Sequence, residues 1–532
     1  MFSKKFSIFI IGLYYIPQLI PSRKVSNTNG HDCVAKDFGQ DSTVCVCNAS
    51  YCDTIPLIEK LNSSMYVKIT TNKDGLRFHK EIGIVEVIEN KASYSDIVIN
   101  VNASVEYQAI HGYGGAFTDA TGINLASLDG KVAEQIMKSY FGIEGIGFSL
   151  CRVPIAATDF STRPYTYLEN EDPELTSFSL QEEDYQYKIP YILQALNLTN
   201  NNLKLISSPW IAPLWMKTIA SYAGSGTIKE EYHPTATWAK YLLKFLEEYE
   251  KQGIDYWGIT TGNEPSLALY PDAIQSTPTV AWTSADMQKF IKDHLGPTIE
   301  NSSYSTINLI ALDDQRGYLP DLNEILNDSA VNNYIDGIGI HWYQDWYESA
   351  NLLDEVHNRY PNKFLLGTEA CSGSTVIDLI FNTRVLLGSW QRAEDQAKDI
   401  IEDMNHWVTG WISWNMVLNT DGGPSYTSNF VDAHIIANIT ANEFYKQPAF
   451  YTHGHFSKLV PPNSKRIQMI LQANNNESDV VSTAFKKPDG GIVITVLNSS
   501  DKTLDINIID EDLRIIETVT PNSLSTILYW KD

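Results

Sequence analysis

The sequence predicts a (β/α)8 barrel flanked by the two halves of a β-sandwich. Eight apolar, strand-like segments recur in the middle of the 532-residue chain. Helical segments fit between several of these strands, as the alternation of strand and helix in such a barrel requires. Toward the two ends of the chain, apolar and polar residues alternate in the pattern typical of half-buried strands.

The eight barrel-strand candidates are apolar runs, most of which end in polar or aromatic residues. In chain order they cover residues 109–119, 145–156, 203–210, 256–264, 307–315, 335–343, 363–369 and 408–415. An open doubly wound sheet is the alternative arrangement for alternating strands and helices. The turn sequence HGYGGAF at 111–117 lacks the G-x-G-x-x-G spacing typical of such a sheet. The barrel is therefore the expected fold.

The clearest helix covers residues 238–252. Apolar side chains recur there at the spacing of one helix face, namely Trp238, Tyr241, Leu242, Phe245, Leu246 and Tyr249. Gly253 follows at a position where glycine commonly ends a helix.

The predicted β-sandwich is discontinuous in sequence. Residues 65–105 alternate apolar and polar side chains, and so does the C-terminal part of the chain. Within the latter, Lys-Pro-Asp-Gly-Gly at 487–491 separates two strand-like runs and predicts a hairpin. Because both β segments lie outside the barrel region, we expect them to form one domain.

The N-terminus predicts export from the cytoplasm. Lys4 and Lys5 precede an apolar run over residues 6–20, and small and polar residues follow. This is the pattern of a secretory signal peptide, assigned to residues 1–24. A membrane anchor is the alternative, but the run is short for a span and contains Pro17. No later segment is long and apolar enough to cross a bilayer, so the mature protein is expected to be soluble.

The cysteines agree with an oxidising environment. Cys33, Cys45, Cys47 and Cys52 cluster in the mature N-terminus and predict two disulfides. A zinc knuckle is the alternative, but the Cys-x-Cys spacing does not match the usual ligand spacing. Glycosylation sequons support passage through the secretory pathway; they begin at Asn48, Asn62, Asn102, Asn197, Asn301, Asn327, Asn438, Asn476 and Asn498.

The charge balance indicates which partners are unsuitable. The chain has 39 Lys and Arg against 64 Asp and Glu, a net charge of −25. An acidic chain is a poor binder of nucleic acid, so no nucleic acid partner is expected. The same charge suits an acidic compartment, where carboxylates protonate and self-repulsion falls.

The residues at the ends of the predicted strands indicate the chemistry. In a (β/α)8 barrel the active site lies at the carboxyl ends of the strands. These ends carry Asp119, Arg152, Trp210, Asn263, Glu264, Asp313, His341, Tyr343, Glu369, Trp414 and Asn415. Two carboxylates that face each other across a bowl lined with aromatic rings are typical of a site that cleaves sugars.

Glu264 and Glu369 are the candidate catalytic pair. Cleavage of a glycosidic bond needs one carboxyl that delivers a proton and a second, ionised one. We expect Arg152 and Tyr343 to hold Glu369 ionised as the nucleophile, and Glu264 to act as acid/base about 5–5.5 Å away. Asn263 is placed to bind a sugar hydroxyl. Most of the 64 acidic residues solvate the surface, which is the alternative interpretation of both glutamates.

Rival chemistries find little support in the sequence. The chain contains no G-x-S-x-G, P-loop or H-E-x-x-H motif. His341 has no second histidine at ligand spacing, so neither a metal nor another cofactor is expected.

Several motifs resemble those of the acid glucosylceramidases of glycoside hydrolase family 30, along nearly all of the chain after the signal. The motifs are GYGGAFTDA (112–120), RVPIAATDFS (152–161), SSPWIAPLW (207–215), GNEPS (262–266), LDDQR (312–316), IHWYQD (340–345), TEACSGS (368–374), GWISWN (410–415), GGPSYTSNFVD (422–432), FYKQPAFYTHGHFSK (444–458) and the cysteine pattern at 33–52. The resemblance implies a retaining β-glucosidase that hydrolyses glucosylceramide to glucose and ceramide in sphingolipid catabolism.

The resemblance also assigns roles to individual residues. It implies that Glu264 is the acid/base and Glu369 the nucleophile, with Arg152 and His341 in support. The substrate-binding positions that match are Asp159, Trp210, Asn263, Tyr343, Trp414 and Asn429. Cys33 would pair with Cys45, and Cys47 with Cys52.

The domain organisation and location follow from the same resemblance. It implies a disulfide-bonded β-sheet from residues 25–56 completed by about 416–447, an immunoglobulin-like β-sandwich from 57–105 and 460–532, and a catalytic barrel over 106–415. It implies a lysosomal protein, peripheral on the membrane, with secretion as the second choice. A saposin-type activator and anionic lipid are the implied partners besides membrane glucosylceramide.

The sequence departs from the family pattern after Glu264. The loop LALYPDAIQSTPTVAW differs, with Tyr270 as a candidate sugar contact and Asp272 in place of a phenylalanine. Cys151 stands where an aliphatic residue is expected, which we interpret as a packing substitution. Two rival hypotheses stay open: a β-glycosidase for a β-glucan, xyloside or fucoside, and a catalytically silent sugar- or lipid-binding protein.

Overall fold

The structure is a computed structural model that describes residues 30–531 apart from 89–94, 225, 234–235, 267–277, 382 and 474–478. The predicted signal peptide lies outside the described residues, as do Tyr270 and Asp272 of the loop after Glu264. Within the described ranges, the structure contains no helix with the length and apolar composition that a membrane span requires.

Eight parallel strands close into a barrel, which confirms the predicted fold class. The strands are Gly112–Ala116, Leu150–Ile155, Lys204–Pro209, Gly258–Thr260, Asn308–Gln315, Gly337–His341, Phe364–Glu369 and Val408–Asn415. They are numbered here as the first to the eighth barrel strand, and the eighth pairs with the first. Each lies inside one of the eight segments that the sequence predicts.

Helices follow most of these strands. Those of α type are Asp119–Ala126, Gly130–Phe141, Ile189–Leu198, Thr237–Glu250, Ser284–Phe290, Gly296–Glu300, Leu322–Ile325, Ser329–Tyr334, Asn351–Arg359, Val376–Phe381, Trp390–Asn405 and Pro448–Ser457. The Thr237–Glu250 helix confirms the prediction for 238–252, since its predicted apolar face is buried. The helix ends at Glu250, and Gly253 in the turn that follows has a φ of +80°, a conformation that glycine adopts without strain.

Strands from both ends of the chain pair in one ten-stranded sheet, as the alternation of residues predicts. In chain order the strands are Met65–Asn72, His79–Ile84, Glu86–Val87, Ile97–Ala109, Lys465–Ala473, Val480–Lys486, Gly491–Asn498, Leu504–Asp510, Leu513–Val519 and Ser523–Trp530. The last strand pairs with the first in antiparallel register, with Ile527 opposite Lys68. The hairpin predicted around 487–491 forms between Val480–Lys486 and Gly491–Asn498.

A third, five-stranded sheet joins the N-terminus to the segment after the barrel. Its strands are Ala35–Asp37, Thr43–Asn48, Val417–Asn419, Ile435–Asn438 and Glu443–Lys446. Disulfides link Cys33 to Cys45 and Cys47 to Cys52, which is the pairing that the family resemblance implies.

One of the predicted glycosylation sequons has a buried asparagine. Asn498 is fully buried, and its side-chain nitrogen donates hydrogen bonds to the carbonyls of Lys502 at 2.8 Å and Thr520 at 2.9 Å. A glycan on that nitrogen would replace one of the two hydrogens that make these bonds and would place a sugar at a buried position, so this sequon is incompatible with modification in the folded protein.

Candidate active site

The two predicted catalytic carboxyls meet at the carboxyl end of the barrel. Glu369 ends the seventh strand, whereas Glu264 lies four residues past the end of the fourth. The Glu264 backbone has a φ of +45°, and its N–H donates to the carbonyl of Asp313 at 3.0 Å. One oxygen of each glutamate and one ring nitrogen of His341 all lie within 4.8 Å of one another.

Glu369 is held at both of its oxygens. The guanidinium of Arg152 donates from Nη1 to Oε2, and the hydroxyl of Tyr343 donates to Oε1 at 2.9 Å. Burial raises the pKa of Glu369, whereas the charges of His341 and Arg152 and the Tyr343 hydrogen bond oppose this shift. The predicted contacts of Arg152 and Tyr343 with Glu369 are therefore present, and both stabilise the carboxylate.

Arg152 connects four of the strand ends. Its fully buried Nη2 donates to Asp313 Oδ2 at 2.7 Å, Asn263 Oδ1 at 2.8 Å and Ser208 Oγ at 3.2 Å. The guanidinium also lies 4.4 Å from the centre of the Trp210 ring. Burial opposes ionisation of Asp313, but Arg152 and His341 hold the pKa of that carboxyl well below its usual range. Asp313 is thus a buried counter-ion.

Glu264 receives two hydrogen bonds at a single oxygen. Gln315 Nε2 lies 2.7 Å and His341 Nδ1 lies 2.9 Å from Oε1. On its other side, His341 Nε2 lies 3.1 Å from Asp313 Oδ1. Burial alone would lower the pKa of His341, but Glu369 and the hydrogen bonds to Asp313 and Glu264 raise it to about 10. The ring is therefore an imidazolium that donates in both directions.

Aromatic and polar side chains complete the wall of the site. The rings of Trp210 and Trp414 stack with centres 5.0 Å apart and planes 22° apart. Asn429 Nδ2 donates to Asp159 Oδ2 at 2.7 Å. Burial raises the pKa of Asp159 to about 7, against the Asn429 hydrogen bond and with a contribution from Glu369. All six predicted substrate-binding residues therefore lie on strand ends or segments around the two glutamates.

Two strand-end residues from the sequence analysis serve packing instead. Asp119 begins a helix, where its carboxylate accepts a hydrogen bond from Ser161 at 2.6 Å and lies 3.6 Å from the buried Lys188 ammonium. Asn415 accepts a hydrogen bond from the hydroxyl of Thr118 at 2.6 Å. Both side chains are buried and accept hydrogen bonds from neighbouring hydroxyls.

Gln315 is the functional residue that the sequence analysis did not assign. It lies in the LDDQR motif and ends the fifth strand, so its position at a strand end was the available signal. Ser208 and Thr260 were missed as well, and both donate to Asp313 Oδ2, at 2.5 and 2.8 Å. Serine and threonine occur throughout strands, so their identity carried no comparable signal.

The site has carboxylates and a histidine, the residue types that bind metals, but its chemistry does not suit one. Glu264, His341 and Glu369 are the three groups close enough to share an ion among the described residues of the site. A metal-bound imidazole must be neutral to offer a lone pair, and the surrounding carboxylates favour the protonated ring.

Cys151 lies buried in the second strand, where burial raises the pKa of its thiol to about 12.

Comparisons with known proteins identify relatives along nearly the whole chain. Residues 110–460 match the glycosyl hydrolase family 30 TIM-barrel domain, and residues 463–527 match the glycosyl hydrolase family 30 beta sandwich domain. The lysosomal acid glucosylceramidase of Mus musculus is 38% identical over 505 residues, covering 93% of this chain and 95% of that protein. The putative glucosylceramidase 1 of Caenorhabditis elegans is 42% identical over 482 residues, covering 89% of each.

The solved structures extend this likeness to three dimensions. SrfJ from Salmonella typhimurium has a TM-score of 0.79 and 25% sequence identity, with coverage of 88% of this chain and 100% of that chain. The matches confirm the predicted combination of a barrel with a β-sandwich.

Replacement of Arg152 by Lys tests whether the planar guanidinium organises the site. Lysine keeps the charge but loses the fork that reaches Glu369, Asp313 and Asn263 together. We expect kcat/KM on an aryl β-glucoside to fall at least about 100-fold, since loss of several charge-assisted bonds costs about 3 kcal/mol. Arg163→Lys is the matched control, because Arg163 pairs with Glu183 with its own side chain 49% exposed. Equal kcat/KM values for the two variants would contradict the role of Arg152.

Proposed function

The chain belongs to glycosyl hydrolase family 30 and is an O-glycoside hydrolase, and from this premise we propose that it hydrolyses glucosylceramide to glucose and ceramide with retention. In this proposal Glu369 is the nucleophile and Glu264 the acid/base. The glucosylceramidases among its relatives support the substrate. The site supports the division of roles.

The separation of the two carboxyls carries the mechanistic part of the proposal. Their closest oxygens lie within 4.8 Å of each other. Retaining glycosidases hold their carboxyls about 5–5.5 Å apart, whereas inverting ones need about 6.5–9.5 Å to admit a water molecule between carboxyl and sugar. The short separation favours direct attack by one carboxylate on the sugar.

In the first step, a Glu369 oxygen attacks the anomeric carbon as the bond to the ceramide oxygen breaks. The departing oxygen takes a proton from Glu264, and the glucose remains covalently bound to Glu369. Gln315 and His341 both occupy Oε1 of Glu264, so Oε2 is the oxygen left to carry this proton. Asn263, whose Oδ1 is fixed by Arg152, has its amide nitrogen available for the hydroxyl beside the reacting carbon.

In the second step, water replaces ceramide on the same face of the sugar. Glu264, now ionised, takes a proton from this water as the water oxygen attacks the anomeric carbon. The bond between glucose and Glu369 breaks, and the electron pair returns to the Glu369 carboxylate. Arg152 and Tyr343 stabilise that leaving carboxylate through the hydrogen bonds described above.

Exposed apolar residues beside the site support a lipid substrate. Trp346 and Tyr347 follow the sixth strand and are 83% and 53% exposed, while Ile380 and Phe381 follow the seventh and are 68% and 71% exposed. Both segments lie at the carboxyl end of the barrel, where the two glutamates are. Large exposed apolar side chains around one opening are typical of a surface that contacts lipid or another protein. We propose that this rim holds the protein at a lysosomal membrane, with anionic lipid and a saposin-type activator as partners.

Covalent labelling at about pH 5 tests the nucleophile, because retaining chemistry needs one protonated and one ionised carboxyl. The probe is the epoxide of a glucose-configured cyclitol, and peptide mass spectrometry locates the adduct. We expect a single adduct on Glu369 that excess glucose-configured competitor prevents. Glu369→Gln is the control and should stay unlabelled. An adduct on another residue, or none on folded protein, would overturn the assignment.

Replacement of Glu264 by Gln tests the acid/base. Glutamine cannot donate the proton that a poor leaving group needs, whereas an activated aryloxide leaves without it. We expect the first step to slow by about 100-fold or more with an alkyl glucoside and to stay near normal with a dinitrophenyl glucoside. The burst of dinitrophenol measures the first step. Equal losses with both substrates would count against the acid role.

Replacement of Trp346 by Ser tests the lipid-facing rim. An aromatic side chain that enters the membrane surface contributes about 2 kcal/mol to binding, so its loss should lower hydrolysis of glucosylceramide in vesicles at least about 10-fold. Hydrolysis of a soluble aryl glucoside should stay within about twofold. Ile143→Ser is the matched control, since Ile143 is 76% exposed but precedes the second strand at the opposite end of the barrel. A parallel loss on both substrates would exclude a lipid-specific role.

A further inference from the structure

A second group of titratable residues lies directly behind the rim of the site. Arg316 follows the fifth strand, Asp345 lies four residues after the sixth, and Asp399 and Asp403 lie on the Trp390–Asn405 helix. The guanidinium of Arg316 is fully buried. Its Nη2 lies 2.7 Å from Asp345 Oδ2 and 2.8 Å from Asp403 Oδ1. The cluster thus ties two active-site segments to one helix.

The charges in this cluster do not balance when every carboxyl is ionised. Oxygens of Asp345, Asp399 and Asp403 lie within 4.8 Å of one another, opposite the single guanidinium of Arg316. Arg316 also pairs with Glu402 at 2.8 Å, but that carboxylate is 40% exposed and is screened by water. Two uncompensated buried negative charges would be costly, so the cluster retains a proton.

Hydrogen bonding indicates where the proton is held. Asp399 Oδ2 accepts from Trp411 Nε1 at 2.9 Å. Oδ1 of Asp345 is buried and has no hydrogen-bond donor among the described residues. A proton between Asp345 and Asp399 supplies that missing donor. Burial and the charges of Asp399 and Asp403 raise the pKa of Asp345 to about 10, and burial and Asp403 raise that of Asp399 as well.

The remaining charged groups near the cluster do not replace this proton. Burial raises the pKa of Asp403 to about 6, while Arg316 opposes the shift. His406, at the end of the same helix, contributes a weaker opposing charge to Asp403. Its Nδ1 already pairs with Asp354 on a neighbouring helix, at 2.9 Å. Arg316 and His406 are thus already paired, and the proton that lowers the repulsion between Asp345 and Asp399 must be held by these two carboxyls themselves.

Chain connectivity links this pair to both catalytic carboxyls. Arg316 directly follows Gln315, which donates to Glu264, and Asp345 lies two residues after Tyr343, which donates to Glu369. The contact between Arg316 and Asp345 holds these two segments together. A change in the charge of Asp345 would therefore affect the positions of both donors, Gln315 and Tyr343.

We propose that Asp345 and Asp399 share one proton and act as positioning residues for Gln315 and Tyr343. This inference deepens the proposed function and rests on it for its catalytic part. When the proton is lost at higher pH, the two carboxylates repel and the segment that carries Tyr343 moves away from Glu369. Activity then declines at high pH because Tyr343 no longer donates its hydrogen bond to Glu369.

The direction of the pH effect follows from linkage. The folded-state pKa of Asp345 is raised above its unfolded value of about 3.9. Its contribution to stability is therefore complete below about pH 4 and is lost as the pH rises toward about 10. Between pH 5 and pH 8 the thermal stability should therefore fall, because the unfolded chain releases a proton that the folded chain retains. Activity should decline only as the pH approaches about 10, where the folded chain loses this proton.

Replacement of Asp399 by Asn tests the pair. The amide donates permanently to Asp345 and still accepts from Trp411, so it mimics the protonated state. We expect kcat/KM on a soluble aryl β-glucoside to stay close to that of the natural chain at pH 5 and to exceed it about twofold at pH 10, which corresponds to about 0.4 kcal/mol. The fall in Tm between pH 5 and pH 8 should shrink by several degrees. Asp421→Asn, the same charge change at an exposed residue, is the control.

Two further arms keep the test decisive. Asp345→Asn replaces the other partner and should give the same changes if Asp399→Asn does not fold. The measurement of Tm needs no substrate and is independent of the proposed function. If the fall in Tm between pH 5 and pH 8 is smaller in the variant but the protein has no β-glucosidase activity, the proposed function is refuted and the proton-sharing pair still stands. Tm and activity profiles that follow those of Asp421→Asn over the whole pH range would overturn the proposal.

Discussion

The buried guanidinium of Arg152 is the interaction on which the rest of the site depends. It is the counter-charge for both Asp313 and Glu369, and it fixes Asn263 and packs on Trp210. An unpaired carboxylate at this depth would be protonated or would destabilise the fold. The position of one arginine on the second strand therefore determines where the ionised carboxylates lie, and the other strand ends are arranged around it.

Two residues of the site, Glu264 and Asp313, have strained backbone conformations. Glu264 and Asp313 both have positive φ, at +45° and +53°, and the fifth strand shifts its register at Asp313. Residues other than glycine avoid this region, and such strain persists where surrounding contacts over-determine the conformation. Here the N–H of Glu264 donates to the carbonyl of Asp313, so one hydrogen bond stabilises both strained backbone conformations. The bulge directs the Asp313 side chain toward Arg152 and His341.

The sequence was sufficient for features that depend on local periodicity. Apolar runs and alternation predict all eight barrel strands and the hairpin around 487–491. The barrel rule predicts Glu369 at the end of the seventh strand, whereas Glu264 lies four residues beyond the end of the fourth strand and not at its last residue. The sequence was not sufficient for Gln315 or for the pair of Asp345 and Asp399. These contacts join segments far apart in sequence, and an isolated Gln or Asp looks like a solvated surface residue in a chain with 64 acidic groups. The disulfide pairing required the family resemblance, because spacing alone leaves alternatives.

The acidity of the chain acquires a structural meaning from its buried carboxyls. Asp159, Asp314 and Asp403 have pKa values raised to about 7, 7 and 6, chiefly by burial, so the fold holds protons that the unfolded chain releases. A folded state that binds more protons gains stability as the pH falls through this range. Asp313 is a buried exception, because the charges of Arg152 and His341 hold its pKa below the usual range despite its burial. The molecule therefore places several proton-retaining carboxyls close to one carboxylate, Asp313, that two cationic side chains keep ionised. The proposed mechanism, with one protonated and one ionised carboxyl, depends on such a contrast between environments.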